Sequence, residues 1–126
     1  MPGEKGLRAK RVATAIRARL AELLSRDVSD PLLSGIIVTD VELPDDLSVA
    51  FVKARLLTGG DRDELRGQAV KALGRASVRL RRGLGRSLAL KRVPELRFEY
   101  DTGADAADRV NTLLAEIAAD AKRSSK

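Results

Sequence analysis

Nine cations and no carboxylate occupy residues 65–94: Arg66, Lys71, Arg75, Arg79, Arg81, Arg82, Arg86, Lys91 and Arg92. Seven of the nine are arginines, whose planar fork of donors matches a phosphate better than the point charge of lysine does. At helical spacing Lys71, Arg75, Arg79 and Arg82 fall on one side, so a strip of phosphates can be tracked. A merely solvated helix face usually mixes signs, because opposite charges three or four residues apart support one another. A run this long without an acid reads instead as an electrostatic footprint for a polyanion. Arg8, Lys10 and Arg11, at the start of a basic first helix, extend the same surface. Composition alone leaves RNA, DNA and acidic lipid open as the polyanion, with nucleic acid favoured.

The rest of the sequence removes most other chemistry. The 126 residues carry a net charge of +6, segregated as +5 over residues 1–26, −6 over 27–64, +9 over 65–94 and −2 over 95–126. There is no cysteine and no histidine, which excludes disulfides, thiol catalysis, cysteine-ligated zinc and the usual general base near neutral pH. Three acidic groups have the residue types for Mg²⁺: Asp40 with Glu42, Asp45 with Asp46, and Asp61 with Asp63 and Glu64. Each has a plainer role, on the polar side of a strand, in a turn and at a helix cap, so no metal is expected. Ser77 has no neighbour in sequence to activate it, and Gly83-Leu84-Gly85 fits neither phosphate-loop nor dinucleotide spacing. Two phenylalanines and one tyrosine are too few for a base-stacking platform, so phosphates and helical shape are the expected targets. No apolar run approaches the ~20 residues that cross a bilayer. The first residues have no signal-peptide core, which points to the cytoplasm.

These groups need elements to position them. Residues 1–7 read as a flexible end, 8–120 as one domain and 121–126 as a flexible tail. From Arg8 a helix presents Val12, Ile16, Leu20, Leu23 and Leu24 as one apolar stripe, and Ser29-Asp30-Pro31 ends it. Ile37, Thr39, Val41 and Leu43 alternate with Asp40 and Glu42 as a strand. After a turn at Pro44-Asp45-Asp46, a second strand over Leu47–Leu57 closes an antiparallel hairpin. It turns Ala50, Val52, Ala54 and Leu56 to one face and Val49, Phe51, Lys53 and Arg55 to the other. Thr58-Gly59-Gly60 breaks the chain, and Asp61 with Glu64 forms a capping box for a helix burying Leu65, Ala69, Ala72, Leu73 and Ala76. A kink at Ala76-Ser77-Val78 leads to a shorter helix ending at Gly85. Leu96, Phe98 and Tyr100 mark a third strand, with Arg97, Glu99 and Asp101 facing away. Val110, Leu113, Leu114 and Ile117 mark a last helix, and packing against the sheet accounts for the stripes of both terminal helices. The economical architecture is an α+β domain, a three-stranded sheet covered by helices.

From about Leu7 to about Leu114 the chain resembles the ribosome-binding factor A family of bacterial small-subunit assembly factors. Arg11-Val12-Ala13, Ile16, Leu23-Leu24 and Asp30-Pro31 carry the likeness first, followed by Val38-Thr39-Asp40-Val41-Glu42, Asp46-Leu47, Ala50 and Val52. Its most specific block is Leu84-Gly85-Arg86, Leu88, Leu90, Arg92-Val93-Pro94-Glu95-Leu96, Phe98 and Asp101, with Arg109 and Leu113-Leu114 closing the pattern. The resemblance implies a type II KH-like domain (α-β-β-α-kink-α-β plus a C-terminal helix), without a GXXG loop. The family's Ala-x-Gly kink falls here on Ala76-Ser77-Val78, with valine in the glycine position. It further implies binding to the free 30S subunit and to 16S rRNA near its 5′ end and decoding region, assistance to late 16S processing and 30S maturation, and a part in growth after cold shock. Arg75 to Arg92 and the basic start of the first helix are then expected to face RNA. The protein so described is no enzyme, has no cofactor or small-molecule substrate, binds no membrane and is monomeric. A general KH-like RNA binder without ribosomal specificity is the alternative, and a metal-dependent nuclease using the acidic groups is a second rival.

Overall fold

Two helices lie across one face of a three-stranded sheet in the computed structural model, which describes the backbone of residues 2–27 and 29–124 and the side chains of 6–27, 29–103, 110–111 and 113–121. The elements are α1 (Pro2–Ser25), α2 (Pro31–Ser34), β1 (Ile36–Glu42), β2 (Val49–Leu56), α3 (Asp63–Leu88), β3 (Glu95–Tyr100) and α4 (Thr102–Ser124). This is the α+β arrangement expected. Helix α1 begins at Pro2 rather than Arg8: Gly3 and Gly6 argue against helix locally, but proline is well suited to a first helical position. The expected tail from 121 onward continues α4 as far as Ser124, and Met1, Ser125 and Lys126 lie outside the described residues.

Strand β2 is central, antiparallel to β1 and parallel to β3. A parallel pair needs a long crossover, and α3 supplies it. The inner face of β2 is Ala50, Val52, Ala54 and Leu56, all buried as the alternation predicts. Strand β1 departs from its predicted phase. Ile36 and Val38 are buried and then Val41, where Ile37, Thr39, Val41 and Leu43 were expected to share a face. The pairing shifts between Val38 and Asp40, so Thr39 is the extra residue of a β-bulge, and the bulge reverses which side chains point inward.

Helix α1 buries Ala9, Ala13, Ile16, Leu20 and Leu24, and α3 buries Ala69, Ala72, Leu73, Ala76, Leu80 and Leu84. Alanines at the contact let the helices lie close to the sheet. At Gly83 a Cβ would come within 2.9 Å of Leu23 Cδ1, so glycine is what admits α1 there. The one-turn α2 begins at Asp30, whose side chain accepts from Leu32 N at 3.1 Å, and has Pro31 at its first position. Thus Asp30-Pro31 starts an element rather than ending one: α1, expected to run to it, already stops at Ser25.

Three further expectations are corrected. The N-cap of α3 is Arg62 with no side-chain cap bond, so Asp61 and Glu64 form no capping box; the helix starts one residue too late for it. No break in secondary structure occurs at Ala76-Ser77-Val78, and α3 runs unbroken to Leu88. All three residues retain an N–H and a Cβ, Ala76 anchors the stripe in the core and Val78 points to solvent, so nothing there terminates a helix. Its end is instead the left-handed Ala89 at φ 50°. Finally, α4 does not pack its stripe on the sheet: Val110, Leu113, Leu114 and Ile117 are each 55–58% exposed. Asp101, which leads into α4, donates its N–H to Ala54 O at 2.7 Å, and Thr39 Oγ1 reaches Asp101 Oδ2 at 2.5 Å. The helix is therefore tied to the sheet at its start while its apolar face stays open.

Gly74 lies exposed on α3, and a Cβ there meets nothing within 4 Å. Gly74→Ala is expected to stabilise the fold by about 0.5–1 kcal/mol, read as a higher urea midpoint with an unchanged slope.

Candidate nucleic-acid interface

The stripe of α3 at positions 71, 75, 79, 82 and 86 runs along one flank of the helix, beside the buried stripe. Its cations divide into two groups. Arg79 donates through Nε and Nη2 to Asp27 Oδ2 at 3.1 and 2.7 Å, and Arg75 Nη2 lies 3.6 Å from Asp30 Oδ2. On the opposite flank, Arg81 donates to the carbonyls of Pro94 at 3.1 Å and Val93 at 3.0 Å. These three arginines hold α3 to the α1–α2 connection and to the segment entering β3. Arg66, on the first turns of α3, is likewise engaged, over the Tyr100 ring at 5.3 Å and to the Gly60 carbonyl.

Asp27 is the anchor of this arrangement. Its Oδ1 accepts from Ser29 N, Ser29 Oγ and Asp30 N at 2.8–3.0 Å while its Oδ2 holds Arg79. The Arg79 guanidinium, ahead of the Ser29 and Asp30 bonds and against some burial, pulls its carboxyl down from 3.8 to about 2. Neither α1 nor the loop signals this pairing, since the partners stand 52 positions apart.

The second group is open. Lys71, Arg82 and Arg86 on α3, Arg8, Lys10 and Arg11 on α1, and Lys91 and Arg92 after α3 are all exposed. None of their side chains makes a hydrogen bond or ion pair to a described residue. Three of them converge: Arg8 lines a cavity of about 620 Å³ together with Lys91 and Arg92. The β1–β2 turn, Asp45-Asp46-Leu47, lines it as well, together with Ala89 and Leu90. The sequence places Arg8 on the basic surface but offers no reason to set it beside residue 91. Arg17, absent from the candidates, lines a smaller groove of about 280 Å³ with Lys10 between α1 and β1. Among the described residues no three His, Cys, Asp or Glu side chains gather as metal ligands, and no helix is long and apolar enough to cross a membrane.

A helix-backed three-stranded sheet with a cationic flank and few aromatics defines a small α+β domain with a basic surface. Residues 8–114 match the family described as ribosome-binding factor A, and the chain belongs to that family. It is 46% identical over 110 residues to ribosome-binding factor A of Sorangium cellulosum (strain So ce56), covering 87% of this chain and 88% of the relative. The crystal structure of ribosome-binding factor A from Thermus thermophilus superposes with a TM-score of 0.61 at 28% identity, over 73% of this chain and 94% of that one. A Thermus thermophilus ribosome-binding factor A homology model fitted into the cryo-EM map of a 30S complex is similar as well, with a TM-score of 0.54 and 30% identity over 68% and 86% of the two chains.

The Asp27 anchor makes a linkage prediction. A carboxyl held below its ordinary value stabilises the fold fully above that value and loses its contribution as pH falls through the folded value, here from 3.8 to about 2. Asp27→Asn is expected to cost about 1–3 kcal/mol at neutral pH, with the difference from the parent closing by about pH 2. Urea unfolding at the two pH values reads it, and Arg79→Ala is expected to behave in parallel.

Proposed function

We propose that this chain is a non-enzymatic assembly factor of the small ribosomal subunit. It binds the free 30S particle through 16S rRNA near the 5′ end and decoding region, and it assists late 16S processing and 30S maturation, above all in the cold. The observation that carries this reading is the open cation set (Lys71, Arg82 and Arg86 with Arg8, Lys10, Arg11, Lys91 and Arg92) on a chain of this family. The placement of a Thermus thermophilus relative in a 30S complex supports it. The chemistry is binding in the cytoplasm by a monomer, with no covalent step. Open arginines neutralise phosphates of a folded rRNA helix, while Arg75, Arg79 and Arg81 set the position of α3 as the platform. Counterion release supplies most of the free energy. The scarcity of rings argues against a general single-strand binder, which captures bases by stacking.

Co-sedimentation with separated 30S, 50S and 70S particles at near-physiological salt tests the reading. Selective retention by 30S is expected, with log affinity falling by roughly 0.7–0.9 per phosphate contact for each log unit of salt. Arg82→Glu with Arg86→Glu is expected to abolish retention while far-UV circular dichroism stays native. Equal binding to every particle, or to none, overturns it.

A further inference from the structure

The cavity between α1, the β1–β2 turn and the α3–β3 segment brings charges of both signs together. Arg8, Lys91 and Arg92 line it together with Asp45 and Asp46, yet none of the five forms an ion pair with another or with any described residue. Asp46 Oδ1 accepts from Ser48 N at 3.0 Å and Ser48 Oγ at 2.7 Å, and these bonds lower its pKa. Its Oδ2 has no hydrogen-bond partner among the described residues. The cavity thus presents cations and carboxylates with no partner among one another. A free phosphate answers only the cations. A ligand that answers both must carry acceptors and donors a few ångströms apart.

An RNA nucleotide does so, with phosphate oxygens at one end and the base edge at the other. Among the four bases only guanine sets two donors side by side, N1–H and the N2 amino group, where one carboxylate can accept both. Adenine and cytosine put a ring acceptor next to their amino group, and uracil flanks its single N–H with two carbonyls; a carboxylate repels each of these acceptors. The remaining lining, Leu47, Ala89 and Leu90, is an aliphatic surface against which a base can lie. Leu47 at φ 57° and Ala89 at φ 50° are also the two non-glycine residues with positive φ among the described residues. A Cβ disfavours that conformation, and held strain of this kind gathers at ligand sites. We infer that this cavity is a subsite for one unpaired guanosine of RNA, its phosphate held by Arg8, Lys91 and Arg92 and its base edge by the Asp45-Asp46 turn.

The inference rests on the RNA-binding reading above and adds base selection to it. Fluorescence anisotropy of the full chain with labelled UUGUU, UUAUU, UUCUU and UUUUU tests it. The expected result is binding of UUGUU on the order of tenfold tighter than the other three, with amide NMR shifts at Leu47, Ala89 and Leu90. Asp46→Asn is expected to reduce that preference, and Asp45→Asn, which disturbs no internal bond, provides a second variant free of any folding effect. Lys91→Ala with Arg92→Ala is expected to weaken all four RNAs alike. Equal affinity for the four, or a guanine preference that survives both aspartate substitutions together, overturns the subsite. If 30S co-sedimentation persists in that case, the assembly-factor reading stands without it. Loss of both 30S and oligonucleotide binding in the parent chain overturns the two together.

Discussion

Burial of a single stripe of α3 is the constraint on which the other features depend. Ala69, Ala72, Leu73, Ala76, Leu80 and Leu84 face the sheet, and small side chains there match the small inner face of β2. Because α3 is also the crossover between two parallel strands, its position sets where β3 lies and how the chain returns to it. A helix committed to the core along one stripe leaves its flanks to other uses. One flank clamps the entry to β3 through Arg81, and the other carries the arginine row.

Charge segregation along the sequence is real, but folding spends part of it. The acidic block that follows α1 returns to the basic helix, where Asp27 meets Arg79 and Asp30 meets Arg75. Net charge by segment therefore overstates the cation available to a partner, and the rest of the row stands open beyond these ties. Pairing of a nearly buried carboxylate with a half-exposed arginine favours a positional role: it fixes the angle of the platform from which Arg82 and Arg86 project. Had every arginine been unpaired, mutual repulsion along the flank would work against the compact state.

Elements whose signal is local are legible in the sequence. The hairpin, the inner face of β2, the alternation of β3 and the long amphipathic helices all follow from period and turn chemistry. What escapes depends on distant partners or on a shift of a single residue. The bulge at Thr39 reverses the phase of β1, yet threonine in a strand carries no mark of a bulge; its hydroxyl is engaged by Asp101, 62 residues away. The Asp27–Arg79 pair is invisible for the same reason. The stripe of α4 is legible as apolar, but periodicity reports that a face exists and not what covers it. Ala76-Ser77-Val78 reads as a kink by family pattern, while its residues are all compatible with helix. Of the interface, the cationic character is legible and the division between structural and open arginines is not.

Scarcity of aromatic residues joins the fold to its mode of recognition. Among the described residues, the largest fully buried side chains are Leu, Ile, Val and Pro, so the core closes without rings. Phe98 and Tyr100 are partly buried against it, and Phe51 alone is well exposed, on the outer face of β2 between Glu42 and Arg97 in register. A lone ring between opposite charges makes no stacking platform. On the proposed RNA-binding reading, recognition divides between a flank that senses phosphate charge, and so is screened by salt, and the cavity at the meeting of α1 with the two turns. The flank distinguishes a polyanion from other surfaces but not one sequence from another. Any discrimination among bases must come from a place where donors and acceptors are both fixed, and the turn-lined cavity sets three unmatched cations beside two carboxylates.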